Sequence, residues 1–154
     1  MDKSFYSSCH AGFNKYIINN TIAKNHSTAT GGRTYIRTAT VIVIDNIVWG
    51  NTAASSPQIK ALSLGTALAT YNDVEGGYTG AGNLNSLPFF TDTLGFYLTD
   101  IISPCIDAGD SSIIYNDVED ISNPGFAQLP SLGTIRNDMG AYGGQHRYYL
   151  YSLL

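Results

Sequence analysis

The chain alternates short aliphatic runs with polar pairs, and one such pair stands where a strand should continue. In VIVIDNIVWGNTA (Val41 to Ala53), aliphatic runs flank Asp45-Asn46 on both sides. A polar pair normally ends a strand in a turn, yet the apolar pattern resumes at once with Ile47, Val48 and Trp49. YIINNTIAKN (Tyr16 to Asn25) has the same arrangement. A shift of 26 residues puts Ile18 on Ile44, Asn19 on Asp45, Asn20 on Asn46, Ile22 on Val48 and Asn25 on Asn51. ATYNDVEGGY (Ala69 to Tyr78) is a third copy. There a shift of 27 puts Asn72 under Asp45, Asp73 under Asn46 and Val74 under Ile47.

A repeat of this length is shorter than the helix–turn–helix repeats of about 34 residues or more. It suits one coil of a β-solenoid, built of about three short strands, with equal positions of successive coils stacked about 4.8 Å apart. Aliphatic residues then stack inside the tube, and the Asx pair forms a corner between two walls. Asn and Asp tolerate the left-handed backbone that such a corner needs, which the pattern assigns to Asn46. Stacked amides can also bond from coil to coil. The expected corner ladder is Asn19, Asn20, Asp45, Asn46, Asn72 and Asp73.

Around this pattern the chain divides into four parts. Residues 1–15 read as irregular or as a partial coil, and residues 16–106 as parallel coils. Within the coils, residues 84–106 read as two short strands around a turn at Thr93-Leu94-Gly95. Residues 107–144 are turn-rich and acidic, and do not repeat; they read as a C-terminal cap over the last coil. Residues 145–154 are a tail rich in Tyr and Leu, either a last strand over the cap or an adhesive end. If residues 1–15 do not cover the first coil, its strands form an open edge, a template for a further subunit or a head-to-tail copy.

Composition supports an all-β reading. The 154 residues include 16 Gly, and only 13% are charged. No apolar stripe at helical spacing appears. The net charge of −4 and the lack of a Lys/Arg cluster argue against a nucleic-acid surface. No apolar run is long enough for a membrane span, and the first residues lack the apolar segment of a signal peptide.

Three longer strings carry a resemblance: TYNDVEGGYTGAGNLNSLPFF, FYLTDIISPCIDAGD and GTIRNDMGAYGG. With NNTIAKN and DNIVWGNTA, they make residues 16–144 resemble the C-terminal region of bacterial secreted surface proteins with a right-handed parallel β-helix, the pectate-lyase-like fold. SLPFF departs from the family, which more often has Asp-Pro there. The resemblance implies about three coils of a longer protein, an extracellular or cell-surface location, and a role in surface display, adhesion or filament assembly through other subunits or self. The alternative it implies is a carbohydrate-binding or polysaccharide-degrading β-helix with its catalytic coils upstream. The adjacent Asp-Asp, Gly-His-Gly and Arg-Ile-Lys motifs of polygalacturonase-like enzymes do not occur, so no catalytic residue is expected within this segment.

Candidate chemistry is sparse. Asp107, Asp110, Asp117, Glu119, Asp120 and Asp138 concentrate in one region. Their hard oxygens would suit Ca²⁺, with Asp107, Asp110, Asp117 and Asp120 as candidate ligands, but Asp equally caps turns without a metal. Arg136 is the expected partner for one of these acids. His10, His26 and His146 have no partner at metal-ligand spacing. Trp49, Tyr71 and Tyr78 are candidates for stacking on a polysaccharide, or are plain wall aromatics. Cys9 and Cys105 either bridge, or leave Cys105 as a small buried apolar side chain.

Overall fold

The structure, a computed structural model, describes residues 5–6, 15–28, 34–55, 58–92, 94–99 and 102–145. It is all-β, with nine strands among those residues: Phe5–Tyr6 (β1), Lys15–Ile18 (β2), Thr21–Ala23 (β3), Thr34–Ile36 (β4), Thr40–Ile44 (β5), Ile47–Trp49 (β6), Ile59–Ala61 (β7), Thr66–Thr70 (β8) and Asp73–Val74 (β9). They form three three-stranded sheets, ordered β1-β4-β7, β2-β5-β8 and β3-β6-β9. Every strand pair is parallel. The chain thus passes through the same three sheets in the same order three times.

The register in the second and third sheets is constant. Tyr16 pairs with Ile42 and Ile42 with Leu68, while Ile22 pairs with Val48 and Val48 with Val74. This corrects the expected stacking of the third Asx pair by one residue. Ile44 faces Thr70 and Ile47 faces Asp73, so Asp45 lies level with Tyr71, and Asn46 with Asn72. No extra residue is inserted, because both flanking strands hold the same step.

The backbone at the corner is corrected in the same way. The left-handed positions are Asn19 (φ 50°), Asp45 (φ 58°) and Tyr71 (φ 54°). Asn46 is not among them. A left-handed Tyr costs more than a left-handed Asn or Asp, and it is held there by strands on both sides.

Alternation along the strands builds the core. Val41 and Val43 of β5 are buried with Ile36, Val48, Ile59, Ala69 and Val74, and Ile17, Ile22 and Ala67 pack against them. β6 breaks the alternation because both its faces are covered. Val48 belongs to this first cluster, whereas Ile47 joins a second with Leu98, Cys105 and Met139, flanked by Trp49, Tyr71 and Leu84.

After Val74 the described chain contains only isolated bridges. The two strands expected within residues 84–106 reduce to one antiparallel bridge, Phe90 with Leu98, and Leu84 makes a parallel bridge to Asp73. Pairing beyond the last strand is therefore supplied by residues 83–84, not by the C-terminal segment. Residues 103–144 run along the flank of the stack, touching the corner at all three levels: Asn137 to Asn19, Asp110 to Asp45, and Cys105 to Asp73. Their contacts make them a layer along the corner, from the first level to the last. Among the described residues no helix is long and apolar enough to cross a membrane.

Candidate functional site

Two polar columns meet at the corner between the second and third sheets. The inner column is an asparagine ladder. Asn20 donates its backbone N–H (2.9 Å) and Nδ2 (3.3 Å) to Asn46 Oδ1. Asn46 does the same to Asn72 Oδ1, at 2.9 Å for both bonds. Asn72 does the same to Asn83 Oδ1, at 2.9 and 3.1 Å. Each central amide also ties the level before it: Asn46 Nδ2 donates to Ile17 O and Asn72 Nδ2 to Val43 O, both at 2.8 Å. Asn fits because one side chain supplies two donors and an acceptor with two lone pairs.

A second ladder follows the far end of the third sheet. Asn25 donates to Asn51 Oδ1 from its backbone N–H (3.0 Å) and Nδ2 (2.9 Å). Asn51 Nδ2 donates to Gln58 Oε1 (2.7 Å), and Gln58 Nε2 to Glu75 Oε2 (2.6 Å). The sequence repeat aligned Asn25 with Asn51 but missed Gln58, Glu75 and Asn83, which match no aligned Asx position and share no residue type with one another.

The outer column faces the C-terminal segment. Asn19 Nδ2 donates to Asn137 Oδ1 and Asp138 O, both at 3.0 Å. Asp45 is fully buried; its Oδ1 accepts Asp110 N–H at 2.7 Å, and its carbonyl accepts Gly140 N–H at 2.8 Å. Asp45 Oδ2 has no donor in hydrogen-bond geometry among the described residues. Burial is the main cause that pushes the Asp45 carboxyl up from 3.8 to about 6, with Asp110 N–H, the Asn137 side chain and the Arg136 charge opposing. Asp73 belongs at the start of β9, level with Ile47, and not on the asparagine column. Its Oδ1 accepts Ser86 N–H (3.0 Å) and its Oδ2 the Cys105 thiol (3.3 Å). Burial also raises Asp73, and burial together with the Asp73 charge raises Cys105 well above the ordinary thiol range. Cys105 therefore stays a protonated donor and is no nucleophile at neutral pH. Cys9 lies outside the described residues.

The acids of the C-terminal segment accept from backbone N–H and hydroxyl groups, some in local turns and most across the segment. Asp107 accepts from Thr134 N–H and hydroxyl (2.9 and 2.7 Å), and Asp110 from Ser112 N–H (2.8 Å). Asp117 accepts from Asp138 N–H (3.1 Å) and Gly144 N–H, and Asp120 from Ser122 N–H and hydroxyl (2.8 and 2.7 Å). Asp138 accepts from Asp107 N–H and Leu132 N–H, both at 2.8 Å. Among the described residues no group of three His, Cys, Asp or Glu side chains is arranged to hold a metal. The structure does not bring Asp107, Asp110, Asp117 and Asp120 together as a Ca²⁺ site. Arg136 is not paired to an acid by hydrogen bonds either: its Nε and Nη2 donate to Gly109 O at 3.2 and 2.9 Å.

The sugar-stacking candidates pack on the two apolar clusters. Trp49 and Tyr71 pack half-buried on the second cluster, and Tyr78 on the first.

No family model, curated protein or solved structure matches this chain. Its chemistry is therefore read from its own residues.

Gly109 reports how closely the flanking segment approaches the corner. A Cβ there would lie 2.7 Å from Asn137 O and 2.9 Å from Asp45 Oδ1. Gly109→Ala is expected to destabilise by about 1–3 kcal/mol and to speed proteolysis within residues 103–145. Unchanged cleavage and unchanged stability would show that the contact is looser than this.

Proposed function

We propose that the three sheets are the walls of a right-handed parallel β-helix, and that the chain is a non-catalytic module of an extracellular protein, working in surface display, adhesion or filament assembly. The carrying observation is the fate of the polar side chains. The corner amides and the buried carboxylates are engaged in internal hydrogen bonds, and Asp45 Oδ2, the one buried carboxylate oxygen without a donor among the described residues, is enclosed away from the surface a polymer would touch. A polysaccharide-cleaving site needs carboxylates free to shuttle protons or activate water. The constant register and the repeated sheet order support the helix reading. Right-handed connections are the general rule between parallel strands. The sequence resemblance supplies the bacterial surface context, and the proposal rests on it for location.

Two measurements test this function. Incubation with acidic and neutral polysaccharides is expected to give no new reducing ends and no unsaturated products; cleavage lost in Asp45→Asn would overturn the non-catalytic reading. Antibody against the purified chain is expected to label intact source cells, and a signal only after lysis would overturn the surface location.

A further inference from the structure

The asparagine ladder has a direction, and its two ends differ. Asn46 and Asn72 each accept two bonds at Oδ1 from the level before. At the C-terminal end the ladder is closed: Asn83 Oδ1 accepts from Asn72, and Asn83 Nδ2 is spent on Ala69 O and Tyr78 O, both at 3.1 Å. Leu84 covers β9 there. At the N-terminal end, Asn20 Nδ2 is spent on Ile18 O (2.7 Å) and Asn46 Oδ1, and no described residue donates to Asn20 Oδ1. Among the described residues the same end is open in its backbone and its core, and β1, β2 and β3 are paired on one side only. Ile17, Ile22, Ile36 and Val41 line an open cavity of about 340 Å³ beside Asn20.

The geometry points to this end as a docking surface for one further parallel pass of polypeptide, joined ahead of Phe5 and carrying an Asn one step before Asn20. This inference rests on the parallel β-helix reading. The Asn backbone N–H and Nδ2 of that pass would fill Asn20 Oδ1, its strands would pair with β2 and β3, and an aliphatic side chain would enter the cavity. A second copy fits poorly at either of its ends. Its C-terminal end offers no free asparagine donors, because Asn83 is closed. Its N-terminal end would set Asn20 Oδ1 against Asn20 Oδ1, two acceptors with no proton between them. Joining the pass in cis also removes the cost of bringing two molecules together.

The test is a chain extended by its own second pass. Residues 34–52 fused ahead of Met1 place a copy of Asn46 one 26-residue step before Asn20. This extended chain is expected to gain strand signal in far-UV circular dichroism. It should melt about 4 °C or more above the same fusion with the added Asn replaced by Ala. Equal melting of the two fusions, with strand signal gained, would overturn the docking inference alone. Absence of strand gain would overturn it together with the β-helix reading. A concentration-dependent dimer of the 154-residue chain, lost in Asn20→Asp, would overturn it in favour of a second copy.

Discussion

Asn46→Val is expected to lower the free energy of unfolding by about 3–4 kcal/mol. Asn46 is fully buried at the middle level of the ladder. Its Nδ2 shares two hydrogens among Ile17 O, Ile44 O and Asn72 Oδ1, at 2.8, 2.8 and 2.9 Å, and its Oδ1 accepts from Asn20 N–H and Nδ2. Valine keeps the backbone bond to Asn72 and leaves Asn19 N–H on Ile44 O, but takes the acceptor from Asn20 N–H and removes one donor each from Ile17 O and Ile44 O. Each buried group left unpaired costs about 1–3 kcal/mol. The backbone is not the cause, since the left-handed residue at this corner is Asp45. Asn46→Asp is expected to be comparably harmful, because it keeps the acceptor but aims a carboxylate at Asn72 Oδ1 and at two carbonyls. Chemical denaturation measures both variants. A loss below about 1 kcal/mol for Asn46→Val would show that the ladder adds little to the stack.

The second large effect is a stability that rises as pH falls from 7.5 to 5. Asp45 titrates at about 6 in the folded chain against an ordinary 3.8. A carboxyl raised on folding binds its proton more tightly in the folded state. Its stabilisation is fully present below 3.8 and is lost as pH rises through 6. The whole shift corresponds to about 3 kcal/mol, of which about 1.4 kcal/mol falls between pH 7.5 and 5. Asp73, also raised by burial, acts with the same sign. Asp92 and Asp120 are held below the ordinary value by local N–H and hydroxyl donors. Their contribution is lost only as pH falls further, so they do not oppose the trend in this window. Denaturant melts at pH 5 and 7.5 should show the rise, and Asp45→Asn should remove most of it. Flat stability, or stability that climbs with pH, would mean that Asp45 is better solvated than its burial implies.

The strands and one ladder were legible because their causes are local and periodic. β-Branched runs at period two mark the strands, and Asx pairs recurring at a fixed step mark the corner. The third pair misled by one residue because two adjacent Asx, Asn72 and Asp73, offered two alignments. The strand pairs on either side decided between them. The acidic C-terminal residues looked like a metal site because composition brings carboxylates together without saying what each one touches. In the structure nearby N–H and hydroxyl groups take up these carboxylates, as in the pairing of Asp107 with Thr134.

The sequence by itself determined that the chain is all-β, that two segments repeat at a 26-residue step, and that the polar pair between them is a corner. These follow from side-chain periodicity and backbone preference, which neighbouring residues carry among themselves. Only the tertiary structure decided that residues 103–144 flank the stack, that Asp45 is buried with a raised pKa, and that the ladder is closed at Asn83 but open at Asn20. Those facts depend on contacts such as Asn19 with Asn137, 118 residues apart. Such contacts leave no periodic trace, because the C-terminal segment does not repeat and each of its groups meets the corner once.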